Sequence, residues 1–496
     1  MTRDSYLYQR EQVYRLDQQT MQLDGQSSQS LMLKAATATW NAIQQRWPDS
    51  RHIVIFAGAG NNGGDAFAIA CLARQEGKQI SLFMIGEEAR QSQESAYYRK
   101  SWVDLGGEIL SWSGQCPDCD IIIDGLLGIG CNKALDSSWQ SWVSEINASP
   151  AIRVSIDIPS GLNANTGNAM PAAIRADLSV SFIGRKVGCW LSDGPDFCGE
   201  LLFDDLGISS SAVASESAVC HIMNDGNIEL PKARLHNTHK NQLGHILVVG
   251  GDKGMSGAVR LAAMAALRSG AGLVSVCIHP ENYTAIAAAD PELMVAGWED
   301  LDRLLERATV VVVGPGLGQT DKACQLLDQL TSCQKPMLID ADALQVDFLN
   351  KLQSTQTVIT PHPGEAARLM NCSAAQIQQD RIQAMQVLTE RWAGACVLKG
   401  SGSLVGQRDM PMSLCANGHA GMATAGSGDV LVGMIAGYMG QGLSELQAAR
   451  CGVYLHASSA DYYARNQQAE TMVASDLIRG IGRVQADLAN ARLASR

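Results

Sequence analysis

Residues Thr424-Ala-Gly-Ser-Gly-Asp429 join a Gly/Ala-rich turn to a long apolar run, Val430 to Tyr438. A glycine turn that opens directly into a helix presents several unpaired backbone N–H groups at the positive helix end, a setting for phosphate. Asp429 falls in the first turn, where a carboxylate is stabilised and can stand beside that anion. An acid-base group next to an anion hole is the minimum equipment for phosphoryl transfer to a hydroxyl. The competing reading is an ordinary helix start with an Asp in turn one. Lys399-Gly-Ser-Gly-Ser403 adds a lysine and two small hydroxyls on a glycine hairpin, able to bracket a nucleotide phosphate. Thr360-Pro-His362-Pro-Gly-Glu365 holds His362 and Glu365 between prolines. It reads either as a ligand contact with a magnesium-ordering carboxylate or as a rigid turn and helix start. Gly314-Pro-Gly316-Leu-Gly318 and Gly254-Met-Ser-Gly257-Ala258 offer backbone that a ring can approach closely. Asp340 and Asp342 end a further strand, as cation second shell or as helix caps.

The first half carries its own set. Gly58-Ala-Gly60-Asn-Asn-Gly63-Gly64-Asp65 follows a strand and opens a helix. Read as G-x-G-x-x-G it is a dinucleotide fingerprint, which expects an acid near the end of the next strand; Glu87 is the candidate, though it comes late. The rival reading is a phosphate loop in which Asn61 and Asn62 also supply oxygens to a weakly charged ion such as potassium. Asp124-Gly-Leu-Leu-Gly128-Ile129-Gly130-Cys131-Asn132-Lys133-Ala134 and Asp157-Ile-Pro-Ser160-Gly-Leu are two more polar strand ends. In an open parallel sheet such ends converge on one crevice. Cys116-Pro-Asp-Cys119 is a lone C-x-x-C with no second pair at zinc spacing.

The elements that must position these residues alternate. Short apolar runs at 52–57, 80–85, 120–124 and 153–157 are separated by helical patterns, and the alternation restarts at 245–249, 273–277, 309–313, 337–340, 358–360 and 396–398. Both halves therefore read as α/β with parallel sheets: a Rossmann-like doubly wound domain over 1–226, then a larger α/β domain over 227–496. The Ser-rich stretch near Ile208–Ala212, followed by Asn224-Asp-Gly-Asn227 and Pro231, places the boundary near 225–232.

Composition narrows the class. The 496 residues are 46% hydrophobic, enough for full cores. Only 18% are charged, against a usual ~25%, and glycine is high at 48 residues. A net charge of −12 argues against a nucleic-acid binder. Fourteen scattered cysteines fit reduced core thiols better than a disulfide framework. The polar start and the lack of an eighteen-residue apolar run predict a cytoplasmic protein with no membrane span. A homo-oligomer is the expected assembly.

Asn61-Asn-Gly-Gly-Asp65, Asp124-Gly-Leu-Leu-Gly-Ile-Gly130, Ser155-Ile-Asp-Ile-Pro-Ser-Gly-Leu162 and Phe182-Ile-Gly-Arg-Lys-Val-Gly188 resemble the NAD(P)H-hydrate epimerase family. The resemblance implies that Asn61, Asn62, Gly63, Gly64 and Asp65 contact the hydrated dinucleotide. It implies potassium on Asn62, Asp124 and Ser160, and a phosphate side formed by Gly128, Ile129, Gly130, Cys131, Asn132, Lys133 and Ala134. Asp157 becomes the acid-base group facing the nicotinamide. Two departures are Ile129, where the family usually has Thr, and Asn165, where it has Asp. The second half resembles the ADP-dependent NAD(P)H-hydrate dehydratases, a branch of the ribokinase-like fold, most closely in His239-Lys240 with Gly244, Ser256 to Val274, Thr360 to Glu365 and Gly426 to Leu431. Carried over, Ala258, Gly316 and His362 contact hydrated NADH or NADPH. Lys399, Gly400, Ser401, Gly402, Ser403 and Gly428 hold ADP with magnesium, and Asp429 faces the substrate as catalytic base. Asn241 stands where that family usually has Gly. The alternatives are a ribokinase-like small-molecule kinase with an N-terminal nucleotide-binding module, a sensing module in the first half, and an NAD-linked dehydrogenase.

Overall fold

The computed structural model describes residues 5–86, 91–130, 137–392 and 394–494. Glu87 of the dinucleotide reading and Cys131, Asn132, Lys133 and Ala134 of the expected phosphate side lie outside the described residues. The chain divides into two compact units, one of residues 6–220 and one beginning at His221. Among the described residues no helix is long and apolar enough to cross a membrane, and each described cysteine is free.

The first unit opens with helices α1 (Arg10–Asp24) and α2 (Ser28–Arg46). Its sheet runs, in spatial order, Ile109–Leu110, Gln79–Met84, His52–Ala57, Ile121–Gly125, Ile152–Ile156, Leu178–Phe182 and Glu200–Asp204. Every adjacent pair is parallel. The inner strands are continuous apolar runs because both faces are covered, which is why no polar-apolar alternation marks them. Sequence order reverses direction between His52–Ala57 and Ile121–Gly125, so the loops after these two strands part and leave a crevice.

Helix α3 (Asn61–Gln75) starts at Asn61, ahead of the apolar run from Ala66. Asn61 to Gly64 are therefore first-turn residues rather than loop, and Asp65 follows them in the helix. Backbone crowding explains two of the glycines. A Cβ on Gly58 would lie 1.8 Å from the Leu126 carbonyl oxygen, and one on Gly63 would lie 1.8 Å from that of Gly58. The two loops and the helix start are stacked at backbone contact.

In the second unit the sheet runs Met294–Gly297, Leu273–Ile278, His245–Val249, Val310–Val313, Met337–Ile339, Thr357–Ile359 and Ala395–Leu398 in parallel. Two antiparallel strands that sequence pattern did not reveal, Ser403–Gln407 and Met412–Cys415, extend it. They are short and interrupted by Gly and Pro. Here the order reverses between His245–Val249 and Val310–Val313. The Ser427–Gly440 helix is buried from Val430 to Met439. It lies against the Ser256–Arg268 helix so closely that a Cβ on Gly433 would meet the Ala262 carbonyl oxygen at 2.0 Å.

Candidate active sites

The switch point of the first unit holds a cavity of about 580 Å³. Asn61, Asn62 and Asp65 line it from α3, Gly128, Ile129 and Gly130 from the second glycine loop, and Asp157 from the third strand end. Gly63 and Gly64 do not line it; they are buried, facing the Gly58 backbone and the Met32 thioether respectively. Their role is to let the helix start approach, and the side chains around them meet the space.

Asp157 has φ 68°, a left-handed conformation uncommon for a non-glycine residue. Its N–H donates to the Val180 carbonyl (2.7 Å), which fixes the turn. Its carboxylate accepts from the Phe182 N–H (3.2 Å) and from the Lys186 ammonium. Lys186 is 1% exposed and also donates to the Phe182 carbonyl (2.8 Å) and Ser181 Oγ (3.3 Å). Sequence reasoning quoted the stretch containing Lys186 but gave it no role; a lysine flanked by apolar strand residues was the available signal. Burial pushes Asp65 well above the ordinary carboxylate range, and the negative charges of Asp157 and Asp17 push it further.

Asp124 and Ser160 lie beneath the cavity floor, both fully buried. The Asp124 carboxylate accepts from Ser155 Oγ (2.8 Å), Ser160 N–H (2.8 Å), Ser160 Oγ (2.5 Å) and Leu126 N–H (3.2 Å). Ser160 Oγ in turn accepts from the Leu127 N–H (2.8 Å), and Asn62 Nδ2 donates to the Leu127 carbonyl (3.2 Å). Asn62, Asp124 and Ser160, far apart in sequence, meet around Leu127.

In the second unit the strand ends deliver Asp340, Glu365 and Lys399 to one point. Lys399 Nζ lies 2.8 Å from Asp340 Oδ1 and 3.7 Å from Glu365 Oε2. Thr360 Oγ1 donates to Asp340 Oδ1 (2.7 Å), and the His362 N–H donates to Glu365 Oε2 (2.7 Å). Burial lowers the Lys399 pKa, but Asp340 and Glu365 outweigh it and the net shift is upward, so the ammonium persists. The Ser427–Gly440 helix begins beside it: a Cβ on Gly428 would stand 3.5 Å from Lys399 Nζ. Gly426 caps the helix at φ 88°. The N–H groups of Gly428 and Asp429 have no acceptor among the described residues, the normal state of a first turn open to an anion.

Asp429 is raised to about 7 by burial first, then by the negative charge of Asp340, against the pull of Lys399. Asp342 and Glu365 add to the rise. A carboxylate near 7 is a competent proton acceptor at neutral pH. Below it His456, which sequence reasoning missed, faces Ser427 Oγ across 3.5 Å. Burial lowers it to about 4, so it is a neutral support.

Ala258 and Gly316 are neighbours, a Cβ on Gly316 falling 3.3 Å from the Ala258 Cβ. Gly318 donates its N–H to Asp342 (2.9 Å), which ties that loop to the Asp340 strand end. The hairpin from Lys399 to Ser403 is partly committed to itself. Ser403 Oγ donates to the Gly400 carbonyl (3.0 Å), and Arg381 donates to the carbonyls of Ser401 (2.5 Å) and Leu398 (3.1 Å). Arg381, almost fully buried, is a second support that the sequence gave no reason to single out.

The family model described as NAD(P)H-hydrate dehydratase matches residues 246–483, and that of the YjeF-related protein N-terminus matches residues 28–188. The bifunctional NAD(P)H-hydrate repair enzyme Nnr of Escherichia coli is 39% identical over 92% of this chain and 89% of its own length. Its namesake from Coxiella burnetii is 37% identical over 95% of this chain and 97% of its own. A ribokinase-like superfamily protein of Enterococcus faecalis superposes with a TM-score of 0.50 at 26% identity, covering 54% of this chain and 95% of that one.

Proposed function

Since the chain belongs to the family of bifunctional NAD(P)H-hydrate repair enzymes, we propose that its two sites act in sequence on one damaged cofactor. Residues 1–226 interconvert the R and S forms of hydrated NADH or NADPH. Residues 227–496 dehydrate the S form, with ADP converted to AMP and phosphate. The observation that carries this reading is Asp429, a carboxylate near pKa 7 in an open helix turn beside the half-buried Lys399.

Hydrated NAD(P)H is a hemiaminal, with a hydroxyl on the ring carbon next to nitrogen. In the second unit Asp429 takes that hydroxyl's proton as the oxygen attacks the terminal phosphorus of ADP. The N–H groups of Gly428 and Asp429, with Lys399, stabilise the charge on the transferred group. AMP leaves. The ring nitrogen lone pair then expels phosphate, and loss of a proton from the adjacent carbon restores the reduced nicotinamide. Ala258, Gly316 and His362 position the ring; the Lys399–Ser403 hairpin and Gly428 position the nucleotide.

In the first unit Asp157 removes and returns the hydroxyl proton while the ring opens and recloses, and Lys186 orients it. Asn61, Asn62 and Asp65 hold the dinucleotide, with Gly128, Ile129 and Gly130 on the phosphate side. Asn62, Asp124 and Ser160 suit potassium: the donors are oxygens, and among the described residues no Lys or Arg pairs with the buried Asp124. The ion would hold the glycine loop in place. Magnesium would ride on the ADP phosphates with help from Asp340 or Glu365, since one or two carboxylates plus phosphates are its usual holding set. The free cysteines suit a reducing compartment, the cytoplasm.

The test mixes pure protein with each epimer, magnesium and ADP or ATP. Reduced-nicotinamide absorbance returns for both epimers and requires nucleotide. No recovery with either nucleotide sinks the reading.

A further inference from the structure

We propose that Asp17, on helix α1, is a second proton-transfer residue of the first-unit cavity, serving the ring nitrogen while Asp157 serves the hydroxyl. The proposal rests on the epimerase reading above. Helix α1 ends before residue 28, where the family-model match begins, yet Val13, Tyr14 and Asp17 all line the cavity. Tyr14 and Asp17 are three residues apart and so share a helix face. The Tyr14 hydroxyl reaches the second glycine loop, 3.5 Å from where a Cβ on Gly130 would stand. Asp17 lines the same cavity as Asp65, Asp157 and Lys186.

Two observations set Asp17 apart from a wall residue. Among the described residues no donor lies within hydrogen-bond distance of its carboxyl, although it faces a cavity lined with polar groups. The helix carrying it is also pinned to the loop after Asp157. The Arg10 N–H donates to Asn165 Oδ1 (2.7 Å), and Asn165 Nδ2 donates to Glu11 (3.1 Å). Burial raises the Asp17 pKa, Lys186 opposes this, and Asp157 and Glu94 add to it.

The chemistry needs two groups at once. Asp157, in an ion pair with Lys186, is placed to receive a proton. When the bond between ring carbon six and nitrogen breaks, its electron pair goes to nitrogen, which takes the Asp17 proton. Asp157 takes the hydroxyl proton, and the carbon becomes an aldehyde. Rotation about the bond to carbon five presents the other face. Closure returns one proton to Asp17 and the other to the new hydroxyl. Nothing is oxidised, and no co-reactant is consumed.

The test uses the full chain and the R epimer of hydrated NADPH with ADP and magnesium. Excess Asp157→Asn chain is added so that dehydration never limits. Asp17→Asn is expected to lower kcat by about 10²–10⁴-fold, the range for a lost acid-base group, with KM changed less than about threefold. Turnover of the S epimer is unchanged. Asp17→Glu, which keeps the carboxyl, restores at least about a tenth of the rate and covers the case in which the Asn variant folds poorly. The alkaline limb of kcat against pH disappears in Asp17→Asn and persists in Tyr14→Phe. The other charged or titratable groups facing Asp17 are Asp65, Asp157, Lys186 and Glu94. An unchanged kcat and alkaline limb in Asp17→Asn overturns the proposal, as does transfer of the whole effect to Asp65→Asn. Wild-type chain that converts the R epimer no faster than buffer refutes the epimerase reading itself.

Discussion

Asp157 and Asp429 both stand at the carboxyl edge of a parallel sheet, the first near a buried lysine and the second near a half-buried one, and the company of the two lysines differs. Lys186 directs its ammonium to Asp157 together with a backbone carbonyl and a serine. Lys399 is shared with Asp340 and Glu365 before Asp429 is counted. The first arrangement holds a carboxylate in a fixed orientation, as suits a group that lends and recovers one proton. In the second, burial first and then the charge of Asp340, which shares Lys399, put the Asp429 pKa near 7, as suits a base that must accept a proton and then sit beside phosphate charge. One motif, a lysine beside an aspartate, recurs in two settings that differ in how many carboxylates share the cation.

The comparison breaks first at the aspartates. Asp429→Ala is expected to lower NAD(P)H recovery from both epimers by about 10³-fold or more, read as absorbance, since a base that acts in the transition state is lost. Asp157→Ala strands only the R epimer above its spontaneous turnover; equal recovery from both epimers would mean the hydroxyl proton goes elsewhere. Lys186→Met leaves the half-buried Asp157 carboxylate without its cation. It is expected to destabilise the first unit by less than the ~3–5 kcal/mol of a fully buried pair and to abolish R-epimer conversion, checked by calorimetry and by assay.

Acidity provides a sharper cut. Asp429 must be ionised to act, so kcat/KM for the S epimer falls about tenfold per pH unit below pH 7. A plateau down to pH 5 would contradict the crowded-lysine account. Stability gives the converse sign. The folded pKa lies above the unfolded value of 3.8, so the folded state is penalised as pH rises from about 4 to 7, and the cost is complete above 7. Asp429→Asn is therefore expected to raise the melting temperature of the second unit by a few degrees at pH 8 and not at pH 3.5. The smallest effect concerns the α1 latch. Asn165→Ala removes both hydrogen bonds to α1, and a severalfold loss of R-epimer conversion is expected with S-epimer turnover untouched.

Much of this arrangement was readable in the chain. The apolar runs of inner strands, the glycine loops after them and the motif residues Asp124, Asp157, Lys399 and Asp429 are local features. Residues that act through distance were not readable. Lys186, Arg381 and His456 sit in apolar surroundings where nothing in sequence says which polar partner they meet. Asp17 looks like any charged residue on an amphipathic helix until α1 is laid along the crevice. Gly63 and Gly64, part of a binding motif in sequence, also meet a packing demand in space that no sequence pattern announces. Ser403 likewise looked like a phosphate contact, and its hydroxyl is engaged in closing its own turn.

The glycine contact between the two buried helices of the second unit bears on how this enzyme can be changed. With Gly433 against the Ala262 carbonyl, neither helix has room for a larger side chain at the crossing, so the turn carrying Asp429 is a fixed reference point. Altered nucleotide or cofactor preference is then reachable only through the loops that face it, at Gly314–Gly318, His362 and the Lys399–Ser403 hairpin. A directed-evolution library confined to those loops should yield active variants, while one aimed at the helix crossing should yield mostly unfolded protein.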